Sequence, residues 1–263
     1  MEPTARHRHL PGSSSIGTPA ATAALAPYKA RFLDTCLEAQ ILKFGGYTLK
    51  SGRISPYFFN TALFHRADLV RALATAYAEA LIAHGESEDP INKLEFDVLF
   101  GPAYKGIILA TTTVVQLAEL APERFSHVSF SFNRKEAKDH GEGGTVVGAE
   151  LRGKRIVIID DVVTAGTAKR EAIELIRAHG GTLVAIIVAL DRMEKLPADT
   201  NKGENDEDGI PRGSAIGALK TEYGVPIISI ITLEDLIQGL KAKGQAEKAQ
   251  NCEDYWKKYR ASD

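Results

Sequence analysis

Two adjacent aspartates, followed by small and hydroxylated residues, form the segment with the clearest capacity for chemistry. Residues 156–168 read IVIIDDVVTAGTA, so an apolar strand delivers Asp160 and Asp161 to its C-terminal end just before a helix. Ligands bind at this edge of an open α/β sheet. The free N–H groups of a helix N-terminus and the small residues before it suit a phosphate, whereas the carboxylates suit sugar hydroxyls or a divalent cation. The pattern predicts a site for a phosphorylated sugar and disfavours the alternative, in which the acids only cap a helix.

This segment resembles, residue for residue, the phosphoribosyl-pyrophosphate (PRPP) motif of type I phosphoribosyltransferases. In that family the motif holds the ribose 5-phosphate and the 2- and 3-hydroxyls. The resemblance implies PRPP binding along the whole loop, by Asp160, Asp161, Val162, Val163, Thr164, Ala165, Gly166, Thr167 and Ala168. It does not identify the acceptor base.

Three further segments resemble orotate phosphoribosyltransferases in particular. The first, residues 44–60, reads FGGYTLKSGRISPYFFN and is similar to the family's hood, with Tyr47 in place of the commoner Phe. The resemblance implies that Phe58 and Phe59 enclose the orotate ring and that Lys50 contacts PRPP. Because neighbouring residues of a strand point to opposite faces, one ring of such a pair is more often a core residue.

The second segment, GPAYKG at residues 101–106, follows a predicted strand. The resemblance implies that Tyr104 and Lys105 contact the pyrophosphate. The alternative is a simple turn with a solvated lysine, which does not explain why such a motif recurs at a second strand end. At the end of a third strand, Arg192 matches the family arginine that binds the orotate carboxylate, an anion that a guanidinium meets with paired hydrogen bonds. Thr164 is also implied in orotate binding.

The third segment, NRKEAKDHGEGG at residues 133–144, combines cations with glycines that favour mobility. It looks like the family's catalytic loop, in which Arg134, Lys135, Lys138 and His140 contact PRPP. In the family this loop reaches into the neighbouring subunit, so the resemblance implies a homodimer. Lys138 and His140 are both candidates for the proton donor to the leaving oxygen, and the sequence does not choose between them.

These resemblances imply transfer of the 5-phosphoribosyl group from PRPP to orotate, giving orotidine 5-monophosphate and pyrophosphate in pyrimidine (UMP) biosynthesis. Asp160 and Asp161 would hold the ribose hydroxyls and stabilise the cationic sugar. We expect Mg²⁺ as the cofactor, carried mainly by PRPP near these two aspartates without a dedicated protein cage. Another acceptor such as uracil, adenine or xanthine would not explain the hood and Arg192 together. A catalytically silent PRPP sensor would be expected to lack the loop cations or to carry a basic DNA-binding appendage.

Composition excludes several other classes of protein. The chain has 263 residues, 44% of them hydrophobic, and a net charge of −2 from 32 basic and 34 acidic residues. Such a balance provides no global positive field for nucleic acid. The longest apolar run, residues 183–190, is far shorter than the roughly 20 residues of a membrane span. The two cysteines, Cys36 and Cys252, do not form a disulfide framework, and we expect a cytoplasmic protein.

Hydrophobic periodicity predicts the elements that must position these residues. Helices are expected near residues 28–43, 66–84, 105–119, 166–178, 233–240 and 245–259, and strands near 47–49, 56–60, 96–100, 128–132, 155–159, 183–190 and 225–231. Strands that are apolar on both faces and alternate with amphipathic helices indicate an α/β fold with a mainly parallel, doubly wound sheet. The resemblance adds a small N-terminal hood to this core. This is the architecture that the resemblance to type I phosphoribosyltransferases implies.

The same pattern predicts one domain, residues 27–263, behind a flexible tail of residues 1–26. Within the domain we expect the hood at about 44–64, a mobile catalytic loop at about 133–148 and a polar surface insertion at about 197–224. Arg6, Arg8 and the serines of the tail would also suit a transit peptide, but an extended N-terminus is the favoured interpretation.

Overall fold

A six-stranded sheet forms the centre of this computed structural model, which describes residues 24–86, 93–138, 144–163, 167–198, 205–206 and 209–263. In spatial order its strands are β5 (Gly144–Gly148), β4 (Ser129–Lys138), β3 (Val98–Phe100), β6 (Arg155–Val162), β7 (Thr182–Asp191) and β8 (Ile227–Thr232). All neighbouring strands are parallel except β4 and β5. The predicted doubly wound α/β core is confirmed.

Helices cover both faces of this sheet. In chain order they are α1 (Pro27–Glu38), α2 (Ala67–Gly85), α3 (Lys105–Leu120), α4 (Pro122–Phe125), α5 (Thr167–Ala178), α6 (Ala215–Tyr223), α7 (Leu233–Ala242) and α8 (Ala246–Tyr259). Val157 and Ile159 of β6 belong to the core on the side of α1, α2, α3, α7 and α8, whereas Ile156 and Ile158 belong to the core on the side of α5 and α6. Because successive residues of a strand face opposite sides, β6 has to be apolar throughout.

The hood is a separate two-stranded antiparallel sheet, formed by β1 (Leu42–Thr48) and β2 (Ile54–Phe59) and followed by a 3-10 turn at Thr61–Leu63. Helix α1 ends at Glu38, five residues before the predicted end, because Gln40 adopts a positive φ of 54°. That turn redirects the chain so that Ile41 and Leu42 are buried as the hood begins.

The segment predicted as a mobile loop over residues 133–148 is largely a β-hairpin, which corrects the sequence interpretation. Strand β4 continues to Lys138, and Phe132 and Asn133 pair with Val147 and Val146 of β5. The β-branched residues 145–147 favour a strand, although the surrounding glycines and charges are typical of a mobile loop. Residues 139–143, which include His140, lie outside the described residues.

The insertion predicted at 197–224 is also corrected in its second half. Residues 215–223 form α6, whose N-cap Ser214 accepts a hydrogen bond from the Gly217 amide at 2.7 Å. Ile216 and Leu219 of this helix are buried, because its apolar face covers the sheet. Only the part before Ser214 is irregular among the described residues.

The predicted C-terminal elements are confirmed. Thr232 caps α7 in a reciprocal arrangement with Asp235, and Tyr255 and Tyr259 of α8 are buried against the core. No helix in the described parts of the chain is long and apolar enough to cross a membrane.

The strand order places a topological switch between β3 and β6. From β3 the chain first adds β4 on one side and later adds β6 on the other, so the loops after β3 and β6 diverge at their carboxyl ends. In open α/β sheets the crevice at such a point is where ligands bind. The loop after β3 is held very tightly, since a Cβ on Gly101 would lie 1.9 Å from the carbonyl oxygen of Gly106.

This close approach generates a first prediction. Gly101→Ala forces the strand end and the start of α3 apart, and we expect it to destabilise the fold by about 3 kcal/mol. Urea unfolding measures the loss. Gly46→Ala is the matched control, because its added Cβ would meet only Ile54 Cγ2 at an ordinary 3.6 Å. Equal unfolding free energies for the two variants would contradict the packing argument.

Candidate active site

Side chains from both sides of the switch meet at Asp161. Lys105, the first residue of α3 after β3, donates to Asp161 Oδ2 at 2.8 Å, and Thr61 Oγ1 donates to the same oxygen at 2.6 Å. Lys105 also reaches Thr61 Oγ1 at 3.2 Å. The end of β6, the loop after β3 and the turn after the hood are therefore joined by one carboxylate.

Asp161 is held in its charged form. Burial by itself raises the pKa of Asp161, but the hydrogen bonds from Lys105 and Thr61 outweigh burial and keep the pKa below its ordinary value. The amide of Val162 donates to the other oxygen at 2.8 Å. The Lys105 side chain remains 65% exposed, so its ammonium is still open to an anion in the crevice.

Asp160 has a lysine of its own, from the other side of β6. Lys169, in the first turn of α5, forms a buried ion pair with Asp160 and donates to the carbonyl oxygen of Val162 at 2.5 Å. The Tyr77 hydroxyl donates to the Asp160 carbonyl oxygen at 2.8 Å. The two adjacent aspartates are thus paired with two different ammonium groups, which relieves the repulsion between them.

The rest of the predicted PRPP loop is only partly described. Val162 is the last residue of β6, and Val163 follows it and packs toward the core on the α5 side. Thr164, Ala165 and Gly166 lie outside the described residues. Thr167 and Ala168 open α5, so the loop leads into a helix N-terminus as the sequence predicted.

The loop after β3 presents its polar residues to solvent. Tyr104 is 71% exposed and immediately precedes Lys105 at the start of α3. The amide of Ala103 donates to Asn133 Oδ1 at 2.8 Å, which ties this loop to the hairpin strand β4. Tyr104 and Lys105 therefore lie at the crevice, close to the base of the β4–β5 hairpin.

Arg192 lies just after β7, beside the hood. Its Nε donates to Glu194 Oε1 at 2.8 Å, its Nη2 donates to Ser55 Oγ at 3.1 Å, and its guanidinium lies 4.5 Å from the centre of the Tyr57 ring. Burial alone would lower the pKa of Arg192, but Tyr57 and Glu194 raise it above its ordinary value. The side chain is therefore a fixed cation, oriented by β2 and by the segment after β7.

The two hood phenylalanines occupy different environments. Phe58 is 39% exposed and packs on Tyr47 with ring centres 5.5 Å apart. Phe59 points to the opposite face of β2, where its ring is buried against Phe32 and Phe64. The prediction that both rings enclose a ligand does not fit this arrangement, since a ligand contact from Phe59 would have to come from its backbone. Lys50 is exposed in the turn between β1 and β2.

The predicted loop cations lie on or beyond β4. Arg134 is half-buried and Lys135 exposed on that strand, and Lys138 is its last residue. His140 is outside the described residues. The described residues therefore locate Arg134, Lys135 and Lys138 on β4, and residues 139–143 lie outside them.

The donor set fits a magnesium ion held mainly by a substrate. Each of the four carboxylate oxygens of Asp160 and Asp161 already has a protein partner. Two oxygens accept from backbone amides, and the other two are paired with lysines. Among the described residues there is no group of three or more His, Cys, Asp or Glu side chains that could hold a metal ion. An ion brought by a pyrophosphate would find carboxylates nearby but no preformed cage.

Five residues of the site lie outside the sequence motifs and were not predicted, namely Thr61, Tyr77, Lys169, Ser55 and Glu194. Lys169 carried a detectable signal, because a cation in the first turn of a helix is disfavoured by the helix dipole and so suggests a specific acidic partner. Thr61 and Tyr77 carried none, since both reach the aspartates only through tertiary packing.

Comparison with known proteins finds close similarity in both sequence and fold. A family model described as a phosphoribosyl transferase domain matches residues 69–208. An orotate phosphoribosyltransferase of Neurospora crassa is 54% identical over 241 residues, covering 92% of this chain and 100% of that protein. One of Metarhizium anisopliae is 51% identical over 239 residues, covering 91% and 98%. The crystal structure of an orotate phosphoribosyltransferase from Francisella tularensis superposes with a TM-score of 0.71 at 31% identity, covering 88% of this chain and 99% of that one.

The buried pair of Asp160 and Lys169 generates a second prediction. Lys169→Met leaves the Asp160 carboxylate without its ammonium, and we expect a loss of about 3–5 kcal/mol in the free energy of unfolding. Urea unfolding at neutral pH measures this loss. Arg170→Met is the matched control, because the neighbouring Arg170 pairs with Glu222 on the surface.

Adding Asp160→Asn to the Lys169→Met variant removes the unpaired charge and should recover most of the loss. If Lys169→Met were as stable as Arg170→Met, the pairing of Asp160 with Lys169 would not contribute as argued.

Proposed function

The chain belongs to the orotate phosphoribosyltransferase family and has its type I fold, and from that premise we propose that it transfers the 5-phosphoribosyl group of PRPP to orotate. The products are orotidine 5-monophosphate and pyrophosphate, a step of pyrimidine (UMP) biosynthesis. The observation that carries the proposal is the contact of Lys105 with Asp161 at the switch point. It brings a cation for the leaving pyrophosphate within hydrogen-bond distance of an acid for the ribose.

At the sugar end, we assign Asp160 and Asp161 to the ribose hydroxyls, and residues 162–168 to the 5-phosphate. The lysine partners orient both carboxylates, so each can accept a hydroxyl hydrogen bond. The N-terminus of α5 contributes unpaired N–H groups to the phosphate.

At the base end, we assign Arg192 to the orotate carboxylate, with Thr164 and the exposed face of Phe58 beside the ring. Ser55 and Glu194 already orient the guanidinium, so little rotamer freedom remains to be lost on binding. Phe59 is retained only for a backbone contact, because its ring belongs to the core.

At the leaving group, we assign Tyr104 and Lys105 from the loop after β3 and Lys50 from the hood turn. The hairpin residues Arg134, Lys135, Lys138 and His140 would complete the cationic surroundings of the pyrophosphate. Magnesium carried by PRPP would add positive charge there, with Asp160 and Asp161 as the nearest carboxylates. Lys138 and His140 remain the two candidates for the proton donor.

The proposed mechanism is electrostatic. The bond from C1 of the ribose to the pyrophosphate oxygen breaks, and the orotate nitrogen forms the new bond to C1 with inversion and gives up its proton. Lys138 or His140 returns one proton to the leaving oxygen. The sugar gains oxocarbenium character, which Asp160 and Asp161 stabilise, while the lysines neutralise the departing oxygens. A covalent nucleophile is unnecessary, and burial raises the pKa of Cys252 to about 11, so this thiol stays protonated at neutral pH. The buried, free cysteines fit a reducing compartment, and we place the enzyme in the cytoplasm.

The third prediction tests the acceptor. Pyrophosphate release from PRPP with magnesium is measured with orotate, uracil, adenine and xanthine, and only orotate should support turnover. Arg192→Ala should raise KM for orotate by about one to two orders of magnitude while leaving KM for PRPP nearly unchanged, because a charge-assisted hydrogen bond to the carboxylate is lost. Turnover with uracil but not orotate would overturn the proposed function.

We also propose a homodimer in which the hairpin of one subunit reaches the site of the other. Ile108 and Val115 lie seven residues apart on α3 and are 58% and 60% exposed. Such an apolar stripe suits a contact with a second copy of the chain. The helix begins with Lys105, so a partner bound there would lie next to the proposed pyrophosphate site.

The fourth prediction tests this shared site. Lys138→Ala should lower kcat far more than it weakens binding of orotidine 5-monophosphate, because the hairpin cations act on the leaving group. Subunits carrying Lys138→Ala and subunits carrying Arg192→Ala are then mixed and assayed at an orotate concentration far below the raised KM, where each variant alone has little activity. Hybrid dimers should bring the mixture to about a quarter of wild-type activity.

The recovery is expected because each hybrid has one site with an intact base pocket and an intact partner hairpin. Exchange is measured independently of activity, by giving the two variants different affinity tags and recovering dimers that carry both tags. If exchange occurs but the two variants do not complement each other, the hairpin acts within its own subunit. Equal losses of kcat and product affinity in Lys138→Ala would contradict its role.

A further inference from the structure

We propose that Asp206, in the segment between β7 and α6, is a positioning residue for base recognition, acting on Arg192 through Arg53 and Glu194. The proposal rests on the function proposed above, in which Arg192 binds the carboxylate of the base. It gives Asp206, in the polar insertion predicted from the sequence, a role in selecting the base.

The first step is the contact between Asp206 and Arg53 of the hood. Arg53 is almost fully buried, yet its Nε and Nη2 donate to the two Asp206 carboxylate oxygens at 2.7 and 2.9 Å. This is the paired geometry in which a guanidinium binds a carboxylate most strongly. The hydrogen bonds from Arg53 hold the pKa of Asp206 below its ordinary value, so the pair is ionic at neutral pH.

Asp206 also bonds to the chain that follows β7. Its Oδ1 accepts from the Ala198 amide at 2.9 Å, and its carbonyl oxygen accepts from the buried Lys195 at 3.0 Å. Arg53 in turn donates to the Lys195 carbonyl oxygen at 2.8 Å. The hood strand and the chain after Arg192 are thus held together around one aspartate.

The second step is Glu194, which lies between two arginines. Its Oε1 is 2.6 Å from Arg192 Nη2, and its Oε2 is 3.6 Å from Arg53 Nη1. Because Asp206 satisfies Arg53 with two short hydrogen bonds, Glu194 is left to engage Arg192. Without the Asp206 charge, the buried Arg53 would compete for the Glu194 carboxylate.

The third step is the consequence for Arg192. Ser55 Oγ and the Tyr57 ring restrain its guanidinium from the hood side, and both residues lie on the buried face of β2, which begins directly after Arg53. If Glu194 shifted toward Arg53, Arg192 would lose the hydrogen bonds that hold its guanidinium on the side away from the hood. The base carboxylate would then meet a guanidinium that has to be reoriented on binding, which costs affinity.

The experiment compares Asp206→Asn with Asp254→Asn, a matched control at an exposed position of α8. Asp206→Asn should raise KM for orotate about three- to tenfold, with KM for PRPP unchanged within about twofold. Asp206→Glu, which keeps the charge, should restore most of the loss, and the control should behave as wild type. A role in stability alone would lower the melting temperature without separating the two KM values.

A double-variant cycle with Arg192→Ala provides the decisive measurement. In that background Asp206→Asn should change KM for orotate no further, because its effect passes through Arg192. The proposal is wrong if folded Asp206→Asn leaves KM for orotate unchanged, or if its effect persists in full without Arg192. If Asp206→Asn does not fold, Arg53→Lys replaces it, since a lysine keeps the charge but lacks the fork that holds Asp206.

The two proposals fail in different ways. If Arg192→Ala itself leaves KM for orotate unchanged, the assignment of Arg192 to the base carboxylate is wrong and the positioning role falls with it. If Arg192→Ala raises that KM and Asp206→Asn does not, only the inference about Asp206 is overturned.

Discussion

The site depends on one electrostatic constraint: each of two adjacent carboxylates at the end of a buried strand needs a positively charged partner of its own. Asp160 and Asp161 face opposite sides of β6, and each is paired with an ammonium from a different helix, Lys169 of α5 and Lys105 of α3. Burial and mutual repulsion would otherwise favour protonation of one acid. The charge pairs therefore require α3 and α5 to begin at the same edge of the sheet, which the switch between β3 and β6 provides.

The same principle applies beside the hood, where buried positive charges have little water to stabilise them. Arg53 and Arg192 are both buried beside the hood, and Glu194 and Asp206 supply the compensating charges. Burying these charges is favourable only when their hydrogen bonds are complete. Both guanidinium groups are therefore oriented before a ligand binds.

The hood shows how one strand serves both the core and the site. Alternation along β2 places Ser55, Tyr57 and Phe59 on the buried face and Phe58 on the exposed face. The buried residues anchor the hood to α1 and orient Arg192, and the exposed ring is left for a ligand. A resemblance of sequence assigned both phenylalanines to the ligand, but period-two geometry allows only one ring to face it.

Local patterns were enough to predict the parallel core, the helix boundaries around the two motif loops and the family itself, because hydrophobic period and motif spacing are properties of neighbouring residues. They failed where the deciding contact is distant in sequence. The hairpin at 144–148 requires pairing with β4, helix α6 requires the sheet face that it covers, and Lys169, Thr61 and Asp206 acquire their roles only from partners that folding brings to them. The sequence around a charged residue does not specify its distant partner. Tertiary packing decides which opposite charge lies next to it and how far the pair is shielded from water.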